Sequence, residues 1–359
     1  MPWSPEVPGE RPTLGAAVVE WVETMLGAPE GAEGLVRLTR EQIAFCLKLY
    51  ELDVTTGGRR YRRAVLSRAK GWGRSPFLAM LACAEAFADV VPDGWDANGR
   101  PVGKPWSKVR TPWVQVLAVS EDQTRNAWAP LLGMLGDGPA ANIRGVDILQ
   151  TFVVLPGGGR IEFTTASAVS REGNRPVFAV LDQTESWTEP NGGKRLAAAV
   201  RRNLGKTGGC SVESPNAWRP GYGSVAEASA EYHRLIEAGR ATDDGLLWDH
   251  REAPPATDLA DPQSLLCGLR YAYGDSADHP DGCVLHDPPC APGWVPLERI
   301  QREIADPDTD VADSRQYYLN MPSAAETSWL AAEEWAACAS PKRVETARQP
   351  VGAVPRRVR

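Results

Sequence analysis

The sequence predicts an α/β fold: a mostly parallel central sheet flanked by helices, followed by a C-terminal region of helices and loops. Three observations predict it. Short β-rich apolar runs alternate with segments of helical apolar spacing between residues 63 and 216. One run, PVFAVL (176–181), is continuously apolar, as a strand buried on both faces must be. Beyond residue 251 the long apolar strands stop, and Pro, Asp and Gly rise.

Taken in order, residues 1–12 are Pro-rich and are expected to lack regular structure. Apolar spacing predicts a helix over 14–25. A second, LTREQIAFCLKLYEL (38–52), has Thr39 as N-cap and Gln42 three residues on, a capping-box layout. Gln42 can serve that cap, or its amide can read an adenine edge, since an amide both donates and accepts. A turn at Gly57 and Gly58 precedes RAVLSRAKGWGRSP (63–76). There an apolar run leads into a small basic loop, and a helical segment follows over 77–87. Strand, loop and helix form the setting of a phosphate-binding loop. On the spacing G-x-x-x-x-G-K-[ST], Arg68 takes the first glycine position, Gly73 the second, Arg74 the lysine and Ser75 the hydroxyl. Two of these four positions match. Alone, the stretch reads equally as a basic turn between a buried strand and a core helix.

Residues 93–110 are polar and Pro/Gly-rich, a surface loop. WVQVLAVS (113–120) predicts a strand ending at Glu121, Asp122 and Gln123, with a helix from about residue 124. Residues 148–155 and 160–165 predict a hairpin joined by PGGG. The buried strand 176–181 ends in Asp182. A basic helix is expected over 194–204, and a strand over 210–213 that ends at Ser214, Pro215 and Asn216. Helices are predicted over 262–273 and 296–304, and 312–339 is helical at both ends. Residues 341–359 are basic and poor in apolar residues, a disordered tail.

Composition narrows the class. No apolar run is long enough to cross a bilayer and the N-terminus lacks a signal layout, so a cytoplasmic protein is expected. The net charge of -7 argues mildly against a nucleic-acid binder. Yet Arg59, Arg60, Arg62, Arg63, Arg68, Lys70 and Arg74 crowd around the loop, and Lys194, Arg195, Arg201, Arg202 and Lys206 form a second basic stretch. Local cation clusters bind phosphate whatever the total charge. The seven cysteines are odd in number and scattered, which fits a reduced compartment better than a disulfide framework. Cys267, Cys283, Cys290, His279 and His286 are zinc-ligand types. No C-x-x-C pair occurs, however, and the segment reads as a plain loop.

Nucleotide hydrolysis needs phosphates cradled by backbone N–H groups and cations, a carboxylate for Mg²⁺ at a neighbouring strand end, and a group that orients water. Gly71, Gly73, Arg74 and Ser75 are candidates for the first. Asp182, after an apolar strand, has the form of a Walker B carboxylate. In VLDQTESW, either Glu185 acts as base or Gln183 positions water without taking a proton. Glu185 is the favoured base.

These residues bring a family into view. SRAKGWGRSPFLAMLACAEAF resembles the ATPase loop of the large terminase subunits of tailed bacteriophages, especially those of actinobacteriophages. The similarity continues in order through LTREQIAFCLKLYEL, VQVLAVSEDQTRNAW, IEFTTASAVSREGNRPVFAVLDQTESW, CSVESPNAW and DPDTDVADSRQYYLNMPSAAETSWLAAEEWAAC, covering roughly residues 35–340. The resemblance implies a P-loop NTPase fold of RecA/ASCE type and an ATP-driven motor that packages double-stranded DNA into a prohead. It implies ATP and Mg²⁺ as cofactors. Its partners would be the small terminase subunit, the portal protein and further copies in a ring, in the host cytoplasm. Carried over, Gln42 would contact adenine and Arg68 would neutralise transition-state charge. Ser75 and Asp182 would hold Mg²⁺, Glu185 would activate water, and Ser214 and Asn216 would couple hydrolysis to movement. The implied plan is an N-terminal extension (1–35), an ATPase domain (36–250), a linker subdomain (251–340) and the tail (341–359).

Two departures stand out. The family usually has Lys where Arg74 stands, and a forked guanidinium is not a point charge. Lys70, in the same loop, can supply that charge instead. No strand-borne acidic cluster follows Ala339, so the family's two-metal nuclease is not expected from this sequence. Both departures keep a second reading open, a nucleotide-binding but catalytically impaired remnant or split fragment. An unrelated helicase-like ATPase is disfavoured by the absence of a paired helicase domain. Arg125, Arg144, Arg171, Arg201 and Arg202 are candidates for an arginine acting in trans, and solvated surface charge is the plainer role for most of them.

Overall fold

A computed structural model describes residues 3–5, 9–29, 32–165 and 175–323, the side chains of 121–125 excepted. The N-terminal helices come first, α1 (Gly15–Met25) and α2 (Arg40–Leu49). The capping box at Thr39 and Gln42 is formed in both directions. The basic run becomes β1 (Arg63–Ser67), and α3 (Arg74–Phe87) follows its loop. Residues expected to be loop instead build a hairpin, β2 (Val91–Trp95) and β3 (Pro101–Lys104). Then come β4 (Trp113–Ala118), α4 (Glu121–Gly136), β5 (Asp147–Ile148), β6 (Phe152–Val154), β7 (Arg160–Thr165) and β8 (Phe178–Asp182). They are followed by α5 (Gly193–Gly205), β9 (Cys210–Ser214), α6 (Val225–Glu237), β10 (Leu246–His250), α7 (Pro262–Tyr273) and α8 (Leu297–Ile304).

Eight strands form one sheet in the order β10-β1-β9-β8-β4-β7-β6-β5. Every pairing from β10 to β7 is parallel, and only β7–β6 and β6–β5 are antiparallel. The fold is that of a P-loop NTPase: β9 lies between the loop-bearing β1 and the Asp182-bearing β8. In β8, Phe178 and Val180 join the larger core with α3 and α4, while Ala179 and Leu181 join a second core with α5. That alternation places helices on both faces, as the continuous apolar run requires.

The largest differences from the sequence reading concern polar elements. The hairpin is poor in buried apolar residues, and its signal was hidden among Gly, Pro and Asp. Beside the hairpin, against the end of the 91–106 segment, lies Glu85, fully buried on α3. It takes Arg59 Nη2 at 2.6 Å and the Tyr50 hydroxyl at 3.0 Å on one oxygen, and Trp106 Nε1 at 3.0 Å on the other. The single strand expected over 148–155 is two short ones, β5 and β6. Helix α6 and edge strand β10 were not predicted, although Ser224 and Glu227 stand at capping-box spacing at the start of α6. Only Leu246 and Leu247 are buried in β10, and Trp248, Asp249 and His250 are half-buried.

Residues 251–323 belong to the same compact unit as the sheet. Helices α7 and α8 build a small core of Leu265, Leu269, Tyr273, Leu297, Ile300 and Leu319, which also takes in Ala69 from the loop after β1. Asn320 fastens it. This residue is fully buried, with a left-handed φ of 54° that Asn tolerates. Its Oδ1 accepts from Ala217 N at 2.7 Å. Its Nδ2 donates to Arg251 O at 2.8 Å and to Ser67 Oγ at 3.1 Å. The expected helix end near Trp329, Cys338, the tail and Arg171 fall outside the described residues, as do the side chains of Glu121, Asp122, Gln123 and Arg125. Among the described residues no helix is long and apolar enough to cross a membrane.

Candidate nucleotide site

In an open, mostly parallel sheet, ligands bind outside the carboxyl ends of the strands. The loop after β1 opens there. Gly71 and Gly73 hold φ of 91° and 94°, a left-handed conformation that side chains rarely adopt. A Cβ at Gly73 would also stand 2.8 Å from Cζ2 of Trp294. The indole of Trp294 donates to Gly71 O at 3.1 Å, and Lys70 N donates to Tyr317 O at 2.7 Å. Arg74 and Ser75 open α3, so the helix N-terminus faces whatever the loop holds.

Across β9, Ser75 Oγ donates to Asp182 Oδ2 at 3.1 Å. Gln183 then takes a left-handed φ of 57° and donates its N–H to Ser214 O at 3.0 Å. That turn brings Glu185 back into the cleft. Burial pushes the Glu185 carboxyl up to about 7; the Arg74 cation opposes this and Asp182 reinforces it. Its Oε2 is buried without a partner, an orphaned acceptor of the kind that marks a site made for something else. Burial also raises Asp182, against the pull of Arg74 and Ser75.

Arg74 ties the site together. Its Nη1 donates to Ser214 O at 3.1 Å and its Nη2 to Asn216 Oδ1 at 2.7 Å. Asn216 Nδ2 in turn donates to Arg68 O at 2.9 Å, closing a bridge from the start of the loop to its last cation. The cleft has a volume of about 450 Å³, and Lys70, Arg74, Glu185 and Asn216 line it. Ser75 and Asp182 adjoin it as neighbours of those residues.

Arg68 and Gln42 are not among the lining residues. The Arg68 side chain is buried, bonded to Asp249 Oδ1 at 2.7 Å and 3.7 Å from Glu41 Oε1. Gln42 Oε1 accepts from Thr39 N at 3.0 Å, the capping role. Arg201 pairs with Glu213 at 2.6 Å, and Arg144 is exposed. The cleft also holds Arg219, Tyr222, Gln316 and Tyr317, to which the sequence assigned no role. The nearest available signal was the tyrosine-bearing string SRQYY, which sits in the stretch resembling the terminase connector.

The residues present fit a divalent cation. The Ser75 hydroxyl and the Asp182 carboxylate are hard oxygen donors, as Mg²⁺ requires, and the partnerless Glu185 oxygen belongs to the lining of the adjoining cleft. A loop, a strand-end carboxylate and a helix N-terminus so placed are the arrangement of a P-loop NTPase-like fold.

No family model matches the chain. It is 33% identical over 380 aligned positions to the Gene 13 protein of Mycobacterium phage L5, covering 94% of this chain and 60% of that protein. It is 31% identical over 372 positions to the Gene 13 protein of Mycobacterium phage D29, covering 92% of this chain and 59% of that one. The chain thus spans about 60% of the length of these curated relatives. In structure it is similar to the HK97 bacteriophage large terminase, with a TM-score of 0.61 at 16% identity, covering 86% of this chain and 55% of that chain. At that identity the likeness is one of fold: the chain has a terminase ATPase-like fold.

Proposed function

We propose that this chain is the ATP-hydrolysing motor part of a phage large terminase, driving double-stranded DNA into a prohead. The observation that carries the reading is the convergence, at the carboxyl ends of β1, β8 and β9, of a left-handed glycine loop, Ser75 on Asp182, and a raised, partnerless Glu185. The fold shared with a large terminase and the mycobacteriophage relatives support it.

In this reading the ATPase domain is 36–250 and 251–340 is its linker. Amides of the loop and the N-terminus of α3 hold the phosphates, with Lys70 and Arg74 supplying positive charge. Ser75 and Asp182 hold Mg²⁺, which neutralises phosphate charge when bound. Glu185, near neutrality in its acidity, takes the proton from the attacking water. Asn216 registers the phosphate end through Arg74. The partners that follow are DNA, a small terminase subunit, a portal and further copies of the chain, in the host cytoplasm.

Steady-state ATPase with and without duplex DNA, paired with calorimetry of a non-hydrolysable analogue, tests this. Nucleotide binding that requires Mg²⁺ and turnover stimulated by DNA are expected. Absence of nucleotide binding overturns the reading. A second reading, binding without turnover, is favoured by one observation: both terminal nitrogens of Arg74 are already held by Ser214 and Asn216.

A further inference from the structure

Between α7 and α8 the chain brings together four side chains that the nucleotide site does not use. The Asp275 carboxylate, the Cys283 and Cys290 sulfurs and the His286 imidazole offer ligand atoms that all lie within 4.8 Å of one another. We propose that these four residues bind a structural zinc ion. The proposal is independent of the reading of the nucleotide site.

The donor set points to the metal. Two thiols and an imidazole select a borderline-soft divalent ion and disfavour Mg²⁺ or Ca²⁺. Four protein donors leave no open position, which makes the site structural in kind. Zinc–sulfur and zinc–nitrogen bond lengths put the edges of a tetrahedral site at roughly 3.3–3.8 Å, so small side-chain rotations close the observed cluster. The exposed Cys267 and the half-buried His279, which share the residue types, are not members.

The surroundings are built for it. Cys290 N donates to Cys283 Sγ at 3.3 Å, the outer contact that steadies a thiolate ligand. Asp275 Oδ2 accepts from Glu41 N at 2.9 Å, which orients the carboxylate and leaves Oδ1 for the cluster. Oδ1 and His286 Nε2 stand 3.0 Å apart, at ion-pair distance, and both are shielded from water. With Nε2 deprotonated, a cation shared between these two atoms would be bound by both. The loop is tight: at Gly282, with φ of 70°, a Cβ would fall 2.0 Å from Cys290 O.

The location gives the ion a task. Asp275 N donates back to Glu41 Oε2 at 2.8 Å, and Glu41 also pairs with Arg251. Arg40 Nη1 reaches Pro288 O at 2.8 Å. The metal-bound loop would thus clamp the start of α2. It also holds the chain that carries Trp294 onto the phosphate loop.

The test uses the full chain, purified reduced and without chelator. Elemental analysis should find one zinc per chain. Cobalt(II) in its place should give a thiolate charge-transfer band and the strong visible bands of a tetrahedral site. The Cys283→Ser/Cys290→Ser double variant should lose the metal, while Cys267→Ser should keep it. Should the double variant not fold, zinc released from wild type by a thiol-blocking mercurial, read with a colorimetric chelator, serves instead. Background zinc together with no cobalt spectrum from reduced protein overturns the proposal. So does a Cys283–Cys290 disulfide in protein made in a reducing cytoplasm.

Discussion

In the proposed motor Arg74 is the residue on which turnover would depend, and replacing it gives a graded test. Its guanidinium now donates to two neutral acceptors, Ser214 O at 3.1 Å and Asn216 Oδ1 at 2.7 Å. Swinging onto a nucleotide phosphate would exchange these for two bonds in which both partners are charged, and bonds that involve a charged group are each worth about 1.5–3 kcal/mol. Losing both removes about 3–6 kcal/mol of transition-state stabilisation, a factor of roughly 10²–10⁴ in kcat/KM. Arg74→Ala is therefore expected to lower ATPase by that factor. Ser214 O keeps its bond from Gln183 N, so the fold should stand. Arg74→Lys retains a point charge and one contact, and should lose about tenfold or less. A coupled-enzyme assay of phosphate release, with analogue binding measured in parallel, reads both variants. An Arg74→Ala variant with wild-type turnover would refute the assignment. Inactive wild type that binds nucleotide, together with activity gained in Arg74→Lys, would replace the motor with the impaired-remnant reading.

Four further outcomes are expected. Glu185→Gln should abolish hydrolysis by about 10²–10⁴ while leaving analogue binding near wild type. In wild type, kcat/KM should climb with pH and level off above about 7, because the base must be ionised. Between the ordinary glutamate value and about 7 the folded chain holds this proton and the unfolded chain does not, so the group's contribution to stability falls as pH rises through that window. Melting curves at pH 8 should accordingly show Glu185→Gln no less stable than wild type; a clear loss would contradict the assigned burial effect. Glu85→Ala strands the Arg59 cation and two donors inside the fold, and should cost about 3–5 kcal/mol in urea denaturation. A cost under about 1 kcal/mol would show that the Glu85 cluster does not stabilise the fold.

The middle of the parallel sheet was readable because β1, β4 and β8 carry apolar runs, and β8 announces itself by ending in a lone Asp. The capping box of α2 was equally plain, since its two members lie three residues apart. What stayed hidden depends on partners far away in the chain. Edge strand β10 has only two buried apolar residues, yet its Asp249 holds Arg68 and its His250 Nδ1 lies 2.8 Å from Ser67 Oγ. Trp106 sits in a polar stretch and is buried because Glu85 needs a donor. The Cys283, His286 and Cys290 cluster lacked a C-x-x-C signature, and its fourth member, Asp275, is a carboxylate from the turn after α7. Arg219 and Tyr317 reach the cleft only once the segment after α8 has packed beside β9.

Asn320 gives this packing a place in time. It bonds Ser67, which precedes it by 253 residues, along with Ala217 and Arg251. At about 5–20 residues per second of synthesis, the strand leading into the phosphate loop emerges roughly 13–50 s before the amide that fastens it. Until then the carboxyl ends of β1 and β10 lack their closing partner, and Tyr317 is not there to accept from Lys70. The cleft is thus completed only after residue 320 has been made, although its loop belongs to the first strand of the sheet in chain order.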